Sequence, residues 1–131
     1  MWFMKKDTEL WLQYADENLE SAKVLIESNL YNPSLQNAQQ AVEKYLKAVL
    51  IEKAAGLART HSIRELMGLL DSIGVHLSIT DDDIDLLDSI YLPTKYPAFS
   101  VLPKFMPDGS ICKQCLDIAE KVSQDILRII S

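Results

Sequence analysis

Apolar residues return every three or four positions in five separate stretches of this chain. That spacing lines one face of an α-helix and does not fit a half-buried β-strand, whose faces alternate at every second residue. From Thr8 to about Ser28 the recurring residues are Trp11, Ala15, Leu19, Ala22 and Leu25, with Glu and Lys on the other face. A second helix is expected to start at Asn32 as cap, with Pro33 at the first helical position where its missing N–H costs nothing, and to end at Gly56. Its core face is Leu35, Ala38, Val42, Tyr45 and Val49. Ser62-Ile63-Arg64-Glu65 reads as a capping box opening a third helix that closes at Gly74. Thr80 followed by Asp81, Asp82 and Asp83 starts a short fourth helix that stops near Tyr91, because acidic groups complement the positive helix end. The last helix runs from about Ser110 to Ile130, with Ile111, Cys115, Ile118, Val122 and Ile126 inward.

The expected architecture is an all-α, antiparallel four- to five-helix up-and-down bundle, forming one domain over residues 1–131. Its one long irregular connection, about 91–109, contains Pro93, Pro97, Pro103 and Pro107. A chain of 131 residues with 48% hydrophobic content has enough apolar material for a core. The longest unbroken apolar run, Ala48 to Ile51, falls far short of the roughly 20 residues a membrane span requires. No N-terminal stretch resembles a cleavable signal, so a cytoplasmic protein that does not engage membranes is expected. Nineteen acidic against thirteen basic residues give a net charge of −6, which disfavours generic coating of DNA or RNA. Any basic site has to be local and drawn from three arginines (Arg59, Arg64, Arg128) and ten lysines.

Three landmarks in order, Gln39-Gln40-Ala41-Val42-Glu43-Lys44-Tyr45-Leu46-Lys47-Ala48, then Thr60-His61-Ser62-Ile63 leading into Leu66 and Leu69-Leu70, then Tyr91 and Lys95-Tyr96-Pro97, resemble those of HEPN domains. The resemblance covers about Thr8 to Ile130. It implies a helical bundle, commonly a homodimer, often encoded beside a minimal nucleotidyltransferase in a two-component toxin–antitoxin pair. Catalytic members cut RNA without a metal, using an arginine followed after four to six residues by a histidine. Counting forward from Arg59 reaches Arg64, Glu65 or Leu66, and from Arg64 reaches Leu69, Leu70 or Asp71, so neither His61 nor His76 completes that motif. Lys95 stands where relatives often carry arginine, which keeps the charge but loses bidentate phosphate recognition.

Several residues carry competing readings. Gln36, Gln40, Glu43 and Lys47 fall within about 60° on a helical wheel. They form either a solvated stripe with a favourable Glu43–Lys47 pair, a dimer surface, or the lining of a nucleotide or partner cleft. His61, just ahead of a helix N-terminus, is either a neutral site imidazole or a packing element beside a cap. Lys95, Tyr96, Phe99, Lys104 and Phe105 mix cations with aromatics, suited to stacking bases or to anchoring the loop. Cys112-Lys113-Gln114-Cys115 has CxxC spacing, but no strand precedes it and too few partners exist for zinc, so core packing is expected, with no metal or cofactor. Trp2, Trp11 and the terminal Met-Trp-Phe-Met run are expected to bury against the bundle or a subunit partner.

The functional expectation is a non-catalytic binding module: a homodimer that engages a nucleotidyltransferase-type partner and binds nucleotide or RNA. The ligand-binding candidates are Gln40, Glu43, Lys44, Lys47, His61, Lys95 and Tyr96. The alternatives are a divergent metal-independent ribonuclease toxin using His61, Lys95 and Tyr96, and a pure protein-interaction scaffold.

Overall fold

The computed structural model describes the backbone of residues 4–95 and 108–130, with side chains for 4–90 and 108–130. Its elements are α1 (Lys6–Glu27), α2 (Tyr31–Glu52), α3 (Ile63–Ser72), α4 (Asp81–Lys95) and α5 (Gly109–Ile130). No strand occurs among the described residues. The inward residues are those the three-to-four spacing selects: Ala15, Leu19 and Ala22 on α1; Leu35, Ala38, Val42, Tyr45 and Val49 on α2; Cys115, Ile118, Val122 and Ile126 on α5.

Helix α2 is the centre of the bundle. It packs against each of the other four helices, and 13 of its 22 residues are buried. Polar contacts fix its register against α1. Ser34 Oγ donates to the Ala22 carbonyl at 2.9 Å, Thr8 Oγ1 donates to Glu52 Oε1 at 2.9 Å, and the Tyr45 hydroxyl donates to Asp16 at 2.5 Å. Burial and the hydrogen bond to Asp16 push the Tyr45 phenol well above its usual range, so it stays a neutral donor.

The helix ends explain where the structure departs from the expected boundaries. Helix α2 starts at Tyr31, not after an Asn32 cap, because the Leu30 carbonyl already accepts the Ser34 N–H at 3.1 Å. Pro33 therefore occupies the third helical position, still inside the first turn where backbone N–H groups lack helical partners. The same helix ends at Glu52, short of Gly56. Helices α1, α2 and α3 close in the same way: Leu30 N–H to Leu25, Ala55 N–H to Leu50 and Val75 N–H to Leu70, each 2.9 Å. In each closure the preceding residue takes positive φ: Asn29 at 60°, Ala54 at 59° and Gly74 at 80°. In α2 the left-handed position thus falls on an alanine, two residues ahead of the glycine that signalled the end.

Helix α4 continues to Lys95 instead of stopping near Tyr91. A proline removes one N–H and crowds the preceding turn, which does not prevent the residues after Pro93 from keeping helical dihedrals. The expected long loop therefore narrows at its start, and residues 96–107 lie outside the described structure, as do Trp2 and the rest of the N-terminal tripeptide. Thr80 and Asp83 form a reciprocal box at the start of α4: the Thr80 N–H donates to Asp83 at 3.0 Å and the Asp83 N–H to Thr80 Oγ1 at 3.1 Å. At α5 the Asp108 side chain accepts the Ile111 N–H at 2.9 Å.

Cys112 and Cys115 are buried and unbridged. Burial pushes their thiols up to about 11 and about 12 respectively, which outweighs any thiolate stabilisation at the start of α5. Asp125, 4% exposed, ties α5 to the α3–α4 connection by accepting the Ser78 N–H at 2.8 Å and the Ser78 hydroxyl at 2.7 Å, with Arg128 at 2.9 Å. Burial pushes its carboxyl up, but the two Ser78 bonds and then Arg128 outweigh burial and hold it below the usual carboxylate range.

Two outcomes are expected. Ala54→Gly raises stability by about 0.5–1 kcal/mol, the left-handed penalty of an L-residue less the extra chain entropy of glycine, read as a shift in denaturation midpoint. Asp125 has a lowered pKa in the folded state, so its contribution is present at neutral pH and lost as pH falls through that pKa. Asp125→Asn therefore flattens the acid limb of a stability-against-pH curve while lowering stability at pH 7.

Candidate functional site

The second helix buries half of its polar stripe: Gln36 and Gln40 stay partly exposed, whereas Glu43 and Lys47 do not. Because α2 has neighbours on every side, Glu43 and Lys47 are buried at 7% and 6% exposure, and the solvated-face reading is overturned for both. Two opposite charges in such a place must meet each other. Lys47 Nζ lies 3.0 Å from Glu43 Oε2, one helical turn away. The same ammonium stands 5.8 Å from the centre of the Trp11 ring on α1, within cation–π range.

His61 closes the cluster from the α2–α3 connection. Its Nδ1 lies 3.3 and 3.2 Å from the two carboxylate oxygens of Glu43, and its side chain is 56% exposed. An ionised carboxylate only accepts, so the ring nitrogen facing Glu43, Nδ1, is the one that donates. Trp11, Lys47, Glu43 and His61 therefore form one chain of contacts from α1 through α2 to the start of α3.

His61 was expected to feel the positive end of α3, but that end is already occupied. Asp88, from α4, accepts the Ile63 N–H at 2.7 Å, the Arg64 N–H at 3.1 Å and the Ser62 hydroxyl at 3.3 Å. Ser62 Oγ caps the Glu65 N–H at 3.2 Å, the expected half of the capping box. The reciprocal half is absent, because the Ser62 N–H donates to Thr60 Oγ1 at 3.0 Å instead. With a carboxylate on these N–H groups, the helix end is not an anion site, and the charge around His61 is governed by Glu43.

The remaining candidates separate. Lys44 points between α1 and α2, donating to Asn18 at 2.7 Å and standing 6.0 Å from the Tyr14 ring. Gln40 is half-buried, in the same sector of α2's wheel as Glu43 and Lys47. Lys95 ends α4 with its side chain outside the described set, and Tyr96, Phe99, Lys104 and Phe105 lie outside it altogether. Trp11, expected to bury against the bundle or a subunit partner, carries no sequence signal for its pairing with Lys47, which depends on the tertiary placement of α1. Among the described residues no three His, Cys, Asp or Glu side chains gather to hold a metal ion.

An arginine and a histidine do share one groove, of about 410 Å³, where Arg64 and His76 meet Asp71 and Asp81. Each is held by a carboxylate: Arg64 by Asp85 at 2.6 Å and Asp81 at 3.6 Å, His76 by Asp71 at 3.0 Å. A groove of about 480 Å³ along α1 is lined by Glu9, Asp16, Glu17 and Glu20 with Met4 and Leu12. Carboxylates pair with the cations of the first lining and dominate the second, which disfavours a phosphate at either.

Known proteins match this arrangement. The HEPN domain model matches residues 8–130. The chain belongs to the HEPN family. The Methanocaldococcus jannaschii protein named "Putative toxin MJ1304" is 49% identical over 140 residues, covering 95% of this chain and 88% of that protein. TT1696 from Thermus thermophilus superposes with a TM-score of 0.75 at 25% identity, covering 95% of this chain and 98% of its own. ST0689, an archaeal HEPN homologue, superposes with a TM-score of 0.72 at 24% identity, covering 98% and 100%. The all-α HEPN-like bundle expected from spacing and landmarks is thereby borne out.

In this HEPN domain, removing one partner of the buried pair exposes the other. Lys47→Met is expected to cost about 3 kcal/mol or more in unfolding free energy, by leaving Glu43 buried with only His61. Glu43→Leu combined with Lys47→Met recovers most of that loss, and a double-mutant cycle by chemical denaturation measures the difference.

Proposed function

We propose that this chain is the toxin-type HEPN component of a two-protein system and that it acts by binding: a homodimer whose Trp11–Lys47–Glu43–His61 cluster takes a nucleotide, free or at an RNA end, and which engages a nucleotidyltransferase-type partner. The buried Glu43–Lys47 pair carried up to a half-exposed histidine supports this reading. It supplies a cation, an oriented imidazole and an aromatic face at one place on an otherwise acidic chain, and these are the groups that meet phosphate, sugar and base. The name of the Methanocaldococcus jannaschii relative supports the toxin-type assignment.

What accompanies His61 supports the non-catalytic reading. Metal-independent cleavage at a ribose 2′-hydroxyl requires a base together with a fixed cation on the phosphate. Lys47 is neutralised by Glu43, and Arg64 is held by Asp85 and Asp81. A ribonuclease reading, favoured by the Glu43–His61 contact, predicts RNA cleavage that His61→Ala abolishes.

Calorimetry with nucleoside monophosphates separates these readings. Wild type is expected to bind, and His61→Ala, a largely exposed substitution, to weaken binding at least tenfold with little change in stability. A partner of nucleotidyltransferase type is expected to co-purify from the native cell. Heat-free titrations and no such partner would overturn the proposal, and RNA cleavage by purified wild type would move the assignment to the nuclease.

A further inference from the structure

Gln39 lies fully inside the bundle at 1% exposure, and its Nε2 is, among the described residues, the one buried side-chain nitrogen or oxygen without a hydrogen-bond partner. A buried amide nitrogen whose two N–H groups find no protein acceptor destabilises a fold, and a leucine of similar volume would avoid that. Gln39 stands one turn before Glu43 and two turns before Lys47, about 6 and 12 Å along the axis of α2, so the three form one stripe of that helix. On this stripe the Gln39 amide N–H groups are the donors that meet no acceptor. Lys47 brings three N–H groups to one carboxylate and one ring face, and Gln39 brings two to nothing. What would complete such a stripe is an acceptor-rich molecule.

We propose that Gln39 is a specificity residue of the same site, donating from Nε2 to a carbonyl or ring nitrogen on the heterocyclic base of a nucleotide whose phosphate faces Lys47 and His61. The inference rests on the nucleotide-binding reading above. A neutral acceptor suits the enclosed position of Gln39, where a second charge would be costly to desolvate, whereas the half-exposed His61 end suits the phosphate. Axial spacing of one to two turns between the two ends is of the size of a mononucleotide. Entry runs beside His61 and requires the side chains over Gln39 to part. The amide is thus retained at a cost in stability that ligand recovers.

The test compares AMP, GMP, CMP and UMP with ribose 5-phosphate, which lacks the base, on the full chain by calorimetry and thermal unfolding. Wild type is expected to bind at least one nucleotide ten times or more tightly than ribose 5-phosphate. Gln39→Leu is expected to erase that advantage while raising the unfolding temperature. Gln39→Met, a closer match in shape, does the same and covers the case in which leucine disturbs packing. Equal wild-type affinity for nucleotides and ribose 5-phosphate, or an advantage that survives both substitutions, overturns this inference and leaves nucleotide-site binding standing. Loss of stability in both variants overturns it as well, since the amide would then be structural. Binding of neither class of probe overturns the underlying reading and this one with it.

Discussion

The structure turns on the burial of one helix on all sides. With α1, α3, α4 and α5 around it, α2 buries most of its middle turns, so the polar residues enclosed there are costly unless they find partners inside. Glu43 and Lys47 do so with each other, Tyr45 with Asp16, and Ser34 with the Ala22 carbonyl. An apolar pair of similar volume at 43 and 47 would pack without the desolvation of two charges. Stability alone therefore does not account for the pair, and its position beside His61 is what supports the binding role proposed above.

Much of the fold was legible because helix periodicity depends only on local spacing. The inward residues of α1, α2 and α5, the Ser62 cap and the acidic start of α4 are all local signals. The misread boundaries arose where a neighbour decided. Gly56 takes a positive φ of 89°, yet the helix closes two residues earlier over Ala54, through the Ala55 N–H to the Leu50 carbonyl. Pro93 signals a break, and the helix passes it by two residues.

The site was half legible for a related reason. Glu43, Lys47 and His61 stand out as polar landmarks, but a wheel drawn for one helix shows angles and not how many other helices press on it. A stripe with an i,i+4 ion pair looks solvated on the wheel; in the bundle it is an interior cluster. Trp11 and Asp88 carry no site signal in the chain, since their roles depend on contacts 36 and 25 residues away, to Lys47 and Ile63. The order of landmarks led to the right family, while the electrostatics of each landmark had to come from tertiary neighbours.

Asp88 shows how far those neighbours reshape the chemistry. A helix N-terminus beside a histidine is a ready anion site on local grounds, with free N–H groups and a positive dipole end. Once a carboxylate from α4 fills it, a phosphate approaching His61 meets no helix dipole, and its attraction must come from Lys47 and the imidazole alone. Lys47 in turn shares its charge with Glu43. The arrangement therefore provides hydrogen bonds of defined direction without a surplus of positive charge, which favours holding a ligand in one orientation over stabilising the additional negative charge of a phosphoryl-transfer transition state. For the site proposed on this helix, the surrounding charges therefore support the binding reading over the nuclease one.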